Sequence, residues 1–573
     1  MRFRPWFEWN EERLNEELQA LEARGIEFRI DEKLRATRQI IAIDLSYPLR
    51  GDELIQLRAV YPDSYPFFRP EVTASQIHLP RHQARDGTLC LLPRPTILWE
   101  SDWTLLRLLD EQLSQVMKAG RVVDQDALAA DETEQAEPVT DYFTYHPNAA
   151  VLIDPPPSIR EMTPDRAGEL LIGWSSSGRR SAVLAVRDAS GNVLAELSPA
   201  LATLFPEHAK AKWVWLDEPP STNGVDAFKQ IRTAHSKVIP DPRRWPLRSG
   251  HHVNTVGVVF PEEVAPGRKG DGWLFMVQRY PLHTDPQKWN GYFARAIRVG
   301  VDVVNARAPE LASLNDKTVA IVSAGCIGAP SAIELARAGV KELRILEYDR
   351  VDAAALVRWP LGASSVGDSK GEALKRFLRD NYPMTKVSLY PQKIGALRWG
   401  PAEVRPEWEV LREFLDGVSL VYDASAEWGV QHYVSQLARQ SSIPYVMVEG
   451  RNGGWGGVVL RDIPTNGKGC WGCYGYHVAS KSIVNPPKDG AKFVQPAGCA
   501  DPTFTGANFD LAQIANAGVR LAVATLCRGM MGGYPDFEWD VAIIALRDDV
   551  GHVIAPRFTT YPLVRHPDCR NCS

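Results

Sequence analysis

The 573-residue sequence holds no run of ~20 uninterrupted apolar residues, so no part of it reads as a bilayer-spanning helix. It also lacks an excess of either charge. With 65 Lys and Arg against 70 Asp and Glu, the net charge of -5 supplies no general field to draw DNA, RNA or an anionic membrane. From Met1 to Leu18 a charge lies within a few positions of every apolar side chain, which excludes the apolar core of a secretory signal. Cysteine is scarce as well. Eight thiols in a chain this long are too few for a disulfide scaffold, and in a reducing compartment clustered cysteines point to metal ligation or thiol chemistry. These absences predict a soluble cytoplasmic protein with no nucleic-acid and no membrane partner. What is present is an ordinary globular composition, 45% hydrophobic and 24% charged, long enough for about three or four folding units.

The patterning divides the chain into four parts. Residues 1–122 read as a helix at Glu11 to Ala23, strands near Ile26 to Ile30, Gln39 to Leu49 and Leu54 to Val60, a proline-punctuated turn and a closing helix from Trp103. Residues 123–149 are acidic and Ala-rich, as a solvated linker would be. Residues 150–289 carry strand-like runs, a hairpin signal at Ser190-Gly191-Asn192 and many tryptophans, including Trp213, Trp215 and Trp273. This middle α/β or mainly β block shows no chemical motif, and tryptophans so grouped are more often core than ligand box. Residues 290–573 alternate strand and helix, which argues for a parallel sheet covered on both faces and an α/β fold class.

In that last block a strand, Thr318 to Val322, runs into Ser323-Ala324-Gly325-Cys326-Ile327-Gly328 and then a helix. Gly325 and Gly328 make this a turn whose helix-opening amides suit phosphate oxygens, and Glu347, closing the next strand, suits ribose hydroxyls. An NAD-binding dehydrogenase or a purely structural turn would share these features. The continuation argues for a nucleoside triphosphate instead. Arg358 and Lys370 can neutralise phosphate oxygens as charge gathers in a transition state, and Asp423, at a strand end, can hold Mg²⁺.

Four of the cysteines form two C-x2-C pairs, Cys470 with Cys473 and Cys569 with Cys572. Two residues between thiolates let one turn present both sulfurs to a single ion. Two such pairs complete a tetrahedral Zn²⁺ site that leaves no open position for substrate, hence a structural role. Cys326 and Cys527 fall in apolar settings and read as small core residues. Cys499 lies among loop formers, Pro496-Ala497-Gly498 and Asp501-Pro502, where a thiol is exposed. Cys90 lies in Asp86-Gly87-Thr88-Leu89-Cys90-Leu91-Leu92, after Tyr65-Pro66-Phe67 and before Trp99 and a helix.

The ordered series from about Leu314 onward resembles the ThiF-type adenylyltransferases that activate ubiquitin-like C-termini, which carry the two cysteine pairs at the same places. Ser323 stands in place of that family's first turn glycine, and Ala355 in place of its usual asparagine. Residues 5–120 resemble ubiquitin-conjugating enzymes, without their His-Pro-Asn tripeptide upstream of the cysteine. His82, eight residues before Cys90, has the spacing of the missing asparagine, which would donate to an oxyanion; His78 is the other candidate. The resemblance implies a Rossmann-like adenylation domain with ATP bound by Gly325, Gly328, Glu347, Lys370 and Asp423, Arg358 acting on the phosphates, and a homodimer. It also implies that Cys499 takes an acyl group as a thioester, although a structural loop cysteine would fit the same segment.

Conjugating module first and activating module last is the order found in the fused enzymes of bacterial CBASS anti-phage operons, whose substrate C-terminus belongs to a cGAS-like nucleotidyltransferase. Related fusions serve ubiquitin-like proteins. The expectation is therefore a relay: adenylation of a partner's exposed C-terminal tail, thioester at Cys499, transfer to Cys90, and conjugation to target lysine amines. An adenylyltransferase ending in sulfur transfer, which would not need Cys90, and a binding scaffold without catalysis are the competing readings.

Overall fold

The computed structural model describes residues 4–49, 54–84, 86–92, 95–130, 135–177, 180–248, 250–300, 303, 305–396, 405–464, 467–490 and 505–572, with backbone only at 95–96. The chain forms two compact units: residues 1–197 with 205–298, and residues 198–204 with 299–573. No helix among the described residues is long and apolar enough to cross a membrane.

The first unit opens with helix α1 (Glu11–Ala23), capped by the Asn10 side chain, which accepts from the Arg13 amide at 3.4 Å. A four-stranded antiparallel sheet follows, β1 (Glu27–Ile30), β2 (Ala42–Pro48), β3 (Leu54–Val60) and β4 (Glu71–Thr73), paired in chain order. The inner face of α1 carries Leu14 and Leu21, but also Glu17, which is fully buried. Its carboxylate accepts the Tyr61 hydroxyl at 2.9 Å and the Leu105 amide at 2.8 Å, and pairs with Arg13 at 3.2 Å. One buried acid thus ties α1 to the tyrosine-proline turn and to the closing helical segment. Removing a partner would strand a buried charge, at a cost of about 3–5 kcal/mol.

The middle block is mainly β. Strands β5 (Ala150–Ile153), β6 (Ala167–Trp174), β7 (Ser181–Arg187), β8 (Val193–Glu196), β9 (Glu207–Trp215), β10 (Leu247–Arg248), β11 (His251–Ala265), β12 (Arg268–Pro281) and β13 (Asn290–Arg298) form one sheet. Its order runs β11-β12-β13-β5-β7-β6-β9, and β9 pairs back onto β11, so seven strands close into a barrel with no free edge among them. Trp213 and Trp273 sit in its core with Phe275, Val259 and Ile172, which places those tryptophans in packing. A second apolar cluster joins the barrel to the helix Gly224–Ala234 through Ala227, Ile231 and Phe293.

The acidic stretch before the barrel is packed where its composition suggested solvent. Residues Gln125–Ala130 form a helix. A Cβ at Gly267, in the β11–β12 turn, would meet the Gln125 carbonyl at 2.1 Å, so only glycine admits that approach. Beyond it, the Glu137 and Thr140 amides donate to the Glu263 and Glu262 carboxylates at 3.1 and 2.9 Å. Composition records the acids of the segment but not the distant carboxylates that its own N–H groups satisfy.

The second unit is built on an eight-stranded sheet of β14 (Thr318–Val322), β15 (Glu342–Leu346), β16 (Lys386–Tyr390), β17 (Leu420–Asp423), β18 (Tyr445–Gly450), β19 (Gly456–Asp462), β20 (Val541–Arg547) and β21 (Val553–Tyr561). Its order is β16-β15-β14-β17-β18-β19-β20-β21; the first five strands are parallel and the last three antiparallel. Helices α2 (Gly328–Arg337), α3 (Lys370–Asn381) and α4 (Asn508–Leu526) cover it, α4 burying nearly all its apolar residues. The connections leave β14 toward β15 on one side and return to β17 on the other. The carboxyl ends of β14 and β17 therefore flank a topological switch point, where open α/β sheets bind ligands.

Candidate active site

The turn Ser323–Gly328 crosses that switch point, and its conformation is fixed from both ends. Ser323 has a φ of +68°, the left-handed region that normally calls for glycine. A Cβ at Gly328 would lie 1.9 Å from the Ser323 carbonyl oxygen, so the start of α2 closes onto the strand end only with glycine there. At Gly325, by contrast, a Cβ would meet nothing nearer than Ser323 Oγ at 3.7 Å; the protein itself does not require that glycine. Glu347, buried at the end of β15, accepts the Ala324 amide at 2.7 Å through one oxygen and the Asp349 amide at 2.8 Å through the other. Sequence pattern pointed to Glu347 as a ribose ligand; the structure gives it a second task, bracing the turn.

Two cations approach the same turn. Arg358 and Lys370 both lie close enough to Cys326 to oppose the upward push that burial gives its thiol. Lys370, at the first residue of α3, pairs with Asp349. Cys326 is half-buried, whereas Cys527 is a core residue. Asp423 ends β17 directly beside Val322 and is fully buried. Its oxygens accept the Ser425 amide at 2.9 Å, the Ser425 hydroxyl at 2.6 Å and the Tyr445 hydroxyl at 2.9 Å. Burial lifts its pKa to about 6 against these hydrogen bonds. Ala355 sits in a short 3₁₀ turn whose carbonyl accepts the Arg358 amide at 2.8 Å.

In the first unit Cys90 is half-buried, and its amide donates to the His82 carbonyl at 2.8 Å. His82 has a φ of +58°, and its own amide donates to the Glu137 carboxylate at 2.8 Å, with Nδ1 at 3.8 Å from the same carboxylate. Tyr142 donates to the other Glu137 oxygen at 3.3 Å. Burial raises the Cys90 thiol above its usual value, the Glu137 charge raises it further, and Arg69 opposes both. Arg69 is itself pushed down by burial, and its Nε hydrogen has no acceptor among the described residues. Cys90 therefore rests as a thiol between an anion and a cation. His78 is exposed. Sequence reasoning missed Arg69, Glu137 and Tyr142, for no spacing rule connects them to Cys90. Cys499 lies outside the described residues.

Cys470, Cys473, Cys569 and Cys572 converge, with sulfurs all within 4.8 Å of one another. Neighbouring pairs are at 3.9, 3.6 and 3.3 Å. Tetrahedral Zn–S bonds of about 2.3 Å require sulfurs about 3.8 Å apart, so the set fits a zinc ion. The His566 amide donates to Cys473 Sγ at 3.3 Å, the kind of outer contact that fixes a thiolate ligand. A Cβ at Gly472 would stand 3.0 Å from Asn571 Nδ2 and 3.3 Å from Cys569 Sγ, so a larger residue there would press on the sulfur cluster.

Comparison with known proteins agrees with this layout. Residues 299–533 match the ThiF family and residues 19–151 match Prokaryotic E2 family B, which defines a mixed α/β protein with an E2-like domain followed by a ThiF-family adenylyltransferase domain. Uncharacterized protein y4qC of Sinorhizobium fredii is 31% identical over 96% of this chain and 95% of its own length, and the chain belongs to the family it shares with that protein. Adenylyltransferase and sulfurtransferase UBA4 of Lodderomyces elongisporus is 34% identical over 22% of this chain and 27% of its own. Among solved structures, E. coli MccB with ATP is 17% identical with a TM-score of 0.34, covering 46% of this chain and 68% of that one.

Proposed function

We propose that the chain adenylates the C-terminal carboxylate of a partner protein and passes the acyl group through Cys499 to Cys90 and then to a lysine amine. The observation that carries this reading is the meeting, at one switch point, of an open glycine turn, two cations and a buried acid in a ThiF-family domain, on a chain that also bears an E2-like thiol. The partner's carboxylate oxygen attacks the α-phosphorus of ATP and pyrophosphate leaves. Arg358 and Lys370 take up charge on the phosphate oxygens, while the Gly325 region lets the backbone approach the nucleotide. Asp423 would hold Mg²⁺, which supplies further charge neutralisation on the phosphates; this needs its ionised form.

The Cys499 thiolate then displaces AMP from the acyl carbon, and the Cys90 thiolate displaces Cys499 from the resulting thioester. A lysine amine expels Cys90, giving an isopeptide bond and returning a thiol. In this scheme the His82 ring would donate to the negative carbonyl oxygen at Cys90, the Arg69 guanidinium, whose charge favours the thiolate, would assist it, and the His82 backbone carbonyl holds the cysteine amide. The four-cysteine set would hold structural zinc that pins the C-terminal tail. We further propose a homodimer and, as the particular role, ligation of a cGAS-like nucleotidyltransferase in CBASS anti-phage defence.

The name of UBA4 keeps sulfur transfer as the second reading. The test incubates the protein with ATP and either a cGAS-like nucleotidyltransferase or a ubiquitin-like protein, on a non-reducing gel. Cys499→Ala should abolish every thioester and Cys90→Ala should spare the first. Full turnover by Cys90→Ala would favour sulfur transfer, and failure of partner-dependent pyrophosphate exchange would overturn adenylation.

A further inference from the structure

The barrel of the first unit has a cavity of about 640 Å³ at one mouth, within the range of small-ligand sites. It is framed by the start of β5, β7, β11 and β13 and by the end of β6 and β12. Arg180, Arg248, Arg279 and His251 line it, and none of the described residues lining it is acidic. Glu207, at the start of β9, holds one edge of Arg248 at 2.6 Å. Two of the guanidiniums are seated on aromatic rings: Arg248 Cζ lies 3.7 Å from the Trp174 centroid and Arg279 Cζ lies 5.7 Å from that of Tyr292.

This arrangement specifies a ligand class. Glu207 balances Arg248, and Arg180 and Arg279 bring two further positive charges to the cavity, more than a single carboxylate would neutralise. Stacking on Trp174 fixes the plane of the Arg248 guanidinium, and the Tyr292 ring attracts that of Arg279, so both present N–H groups to the fork geometry that phosphate and carboxylate oxygens accept. The same seating occupies ring faces on which a nucleobase would otherwise stack. Recognition therefore falls on the anionic part of the ligand. We infer that the barrel mouth is a binding site for a compact ligand bearing several phosphates, read by its oligophosphate chain rather than by a base. The barrel belongs to the first unit and the nucleotide turn to the second, and the inference does not rest on the relay.

Inorganic tripolyphosphate is the probe, titrated calorimetrically into the full chain carrying Lys370→Ala so that the nucleotide turn is weakened. One site per chain is expected. Adding Arg180→Gln and Arg279→Gln should weaken binding at least tenfold with the melting temperature unchanged, since both side chains are exposed. Arg279→Lys, which keeps the charge but loses the fork, should weaken it severalfold. Absence of binding, full binding by the double glutamine variant, or binding by Arg279→Lys equal to that of the arginine protein would each overturn the site. Citrate binding as tightly as tripolyphosphate would overturn the phosphate class. ATP and tripolyphosphate should bind alike at the site that the double glutamine variant loses; a preference of that site for ATP of tenfold or more would overturn recognition through the phosphate chain.

Discussion

The nucleotide turn and the Cys90 site hold their reactive groups in opposite ways. At the turn the ends of neighbouring parallel strands deliver Ser323, Glu347 and Asp423 side by side, and the Glu347 and Asp423 carboxylates are already engaged by backbone or hydroxyl donors. At Cys90 burial and the Glu137 carboxylate hold a half-buried thiol un-ionised, while the Arg69 guanidinium pulls the other way. The first arrangement is preorganised and should respond to damage in an all-or-none manner. The second is balanced by opposing charges, so it should respond by degrees.

The comparison breaks most visibly at the metal ligands. Cys569→Ser with Cys572→Ser should remove one zinc per chain by elemental analysis and destabilise the second unit by several kcal/mol, while the first unit keeps its own transition in calorimetry. Retention of zinc would refute the ligand set. Gly328→Val comes next. Its Cβ would lie 1.9 Å from a backbone oxygen, and a displaced turn should cost about 3 kcal/mol and about a hundredfold in pyrophosphate exchange, with alkylation of Cys90 unaffected.

Acidity provides a tenfold effect. Asp423 titrates near pH 6 because burial opposes its charge, so exchange should fall about tenfold per pH unit below that value. For stability the sign is reversed: the contribution of this raised pKa is fully present below the ordinary 3.8 and is lost as pH rises through about 6. An exchange rate flat from pH 7 to 5 would remove Asp423 from the ionised machinery. Glu137→Gln should lower the Cys90 pKa and speed its alkylation at pH 8 by about two- to fivefold, leaving pyrophosphate exchange alone. The smallest change is Ser323→Gly, which relieves a left-handed φ and should stabilise the second unit by about 0.5–1 kcal/mol in denaturant melts. A loss of stability there would mean that the serine side chain outweighs its backbone strain.

Much of the turn was legible because its residues follow strands whose order the alternating pattern already implied. Gly328 and the two cysteine pairs were readable for the same reason: a short spacing fixes what a tight turn or a metal requires. Glu137 was not legible. It lies in a stretch whose acidity resembles that of a solvated linker, and only the docking of that stretch against Glu262, Glu263 and the His82 amide brings it to Cys90. The barrel was invisible for a related reason, since closure of β9 onto β11 is a long-range pairing that no local periodicity records.

By itself the amino-acid sequence determined which reactive residue types stand close together along the chain: a glycine turn between a strand and a helix, the Cys90 segment and two closely spaced cysteine pairs. It did so because each depends on residue type and short spacing. The tertiary structure alone decided which charges surround Cys90, that Glu347 braces the turn, and that three arginines share one barrel mouth. Those are consequences of where distant strands and segments come to rest, and electrostatic effects depend on separation in space rather than along the chain.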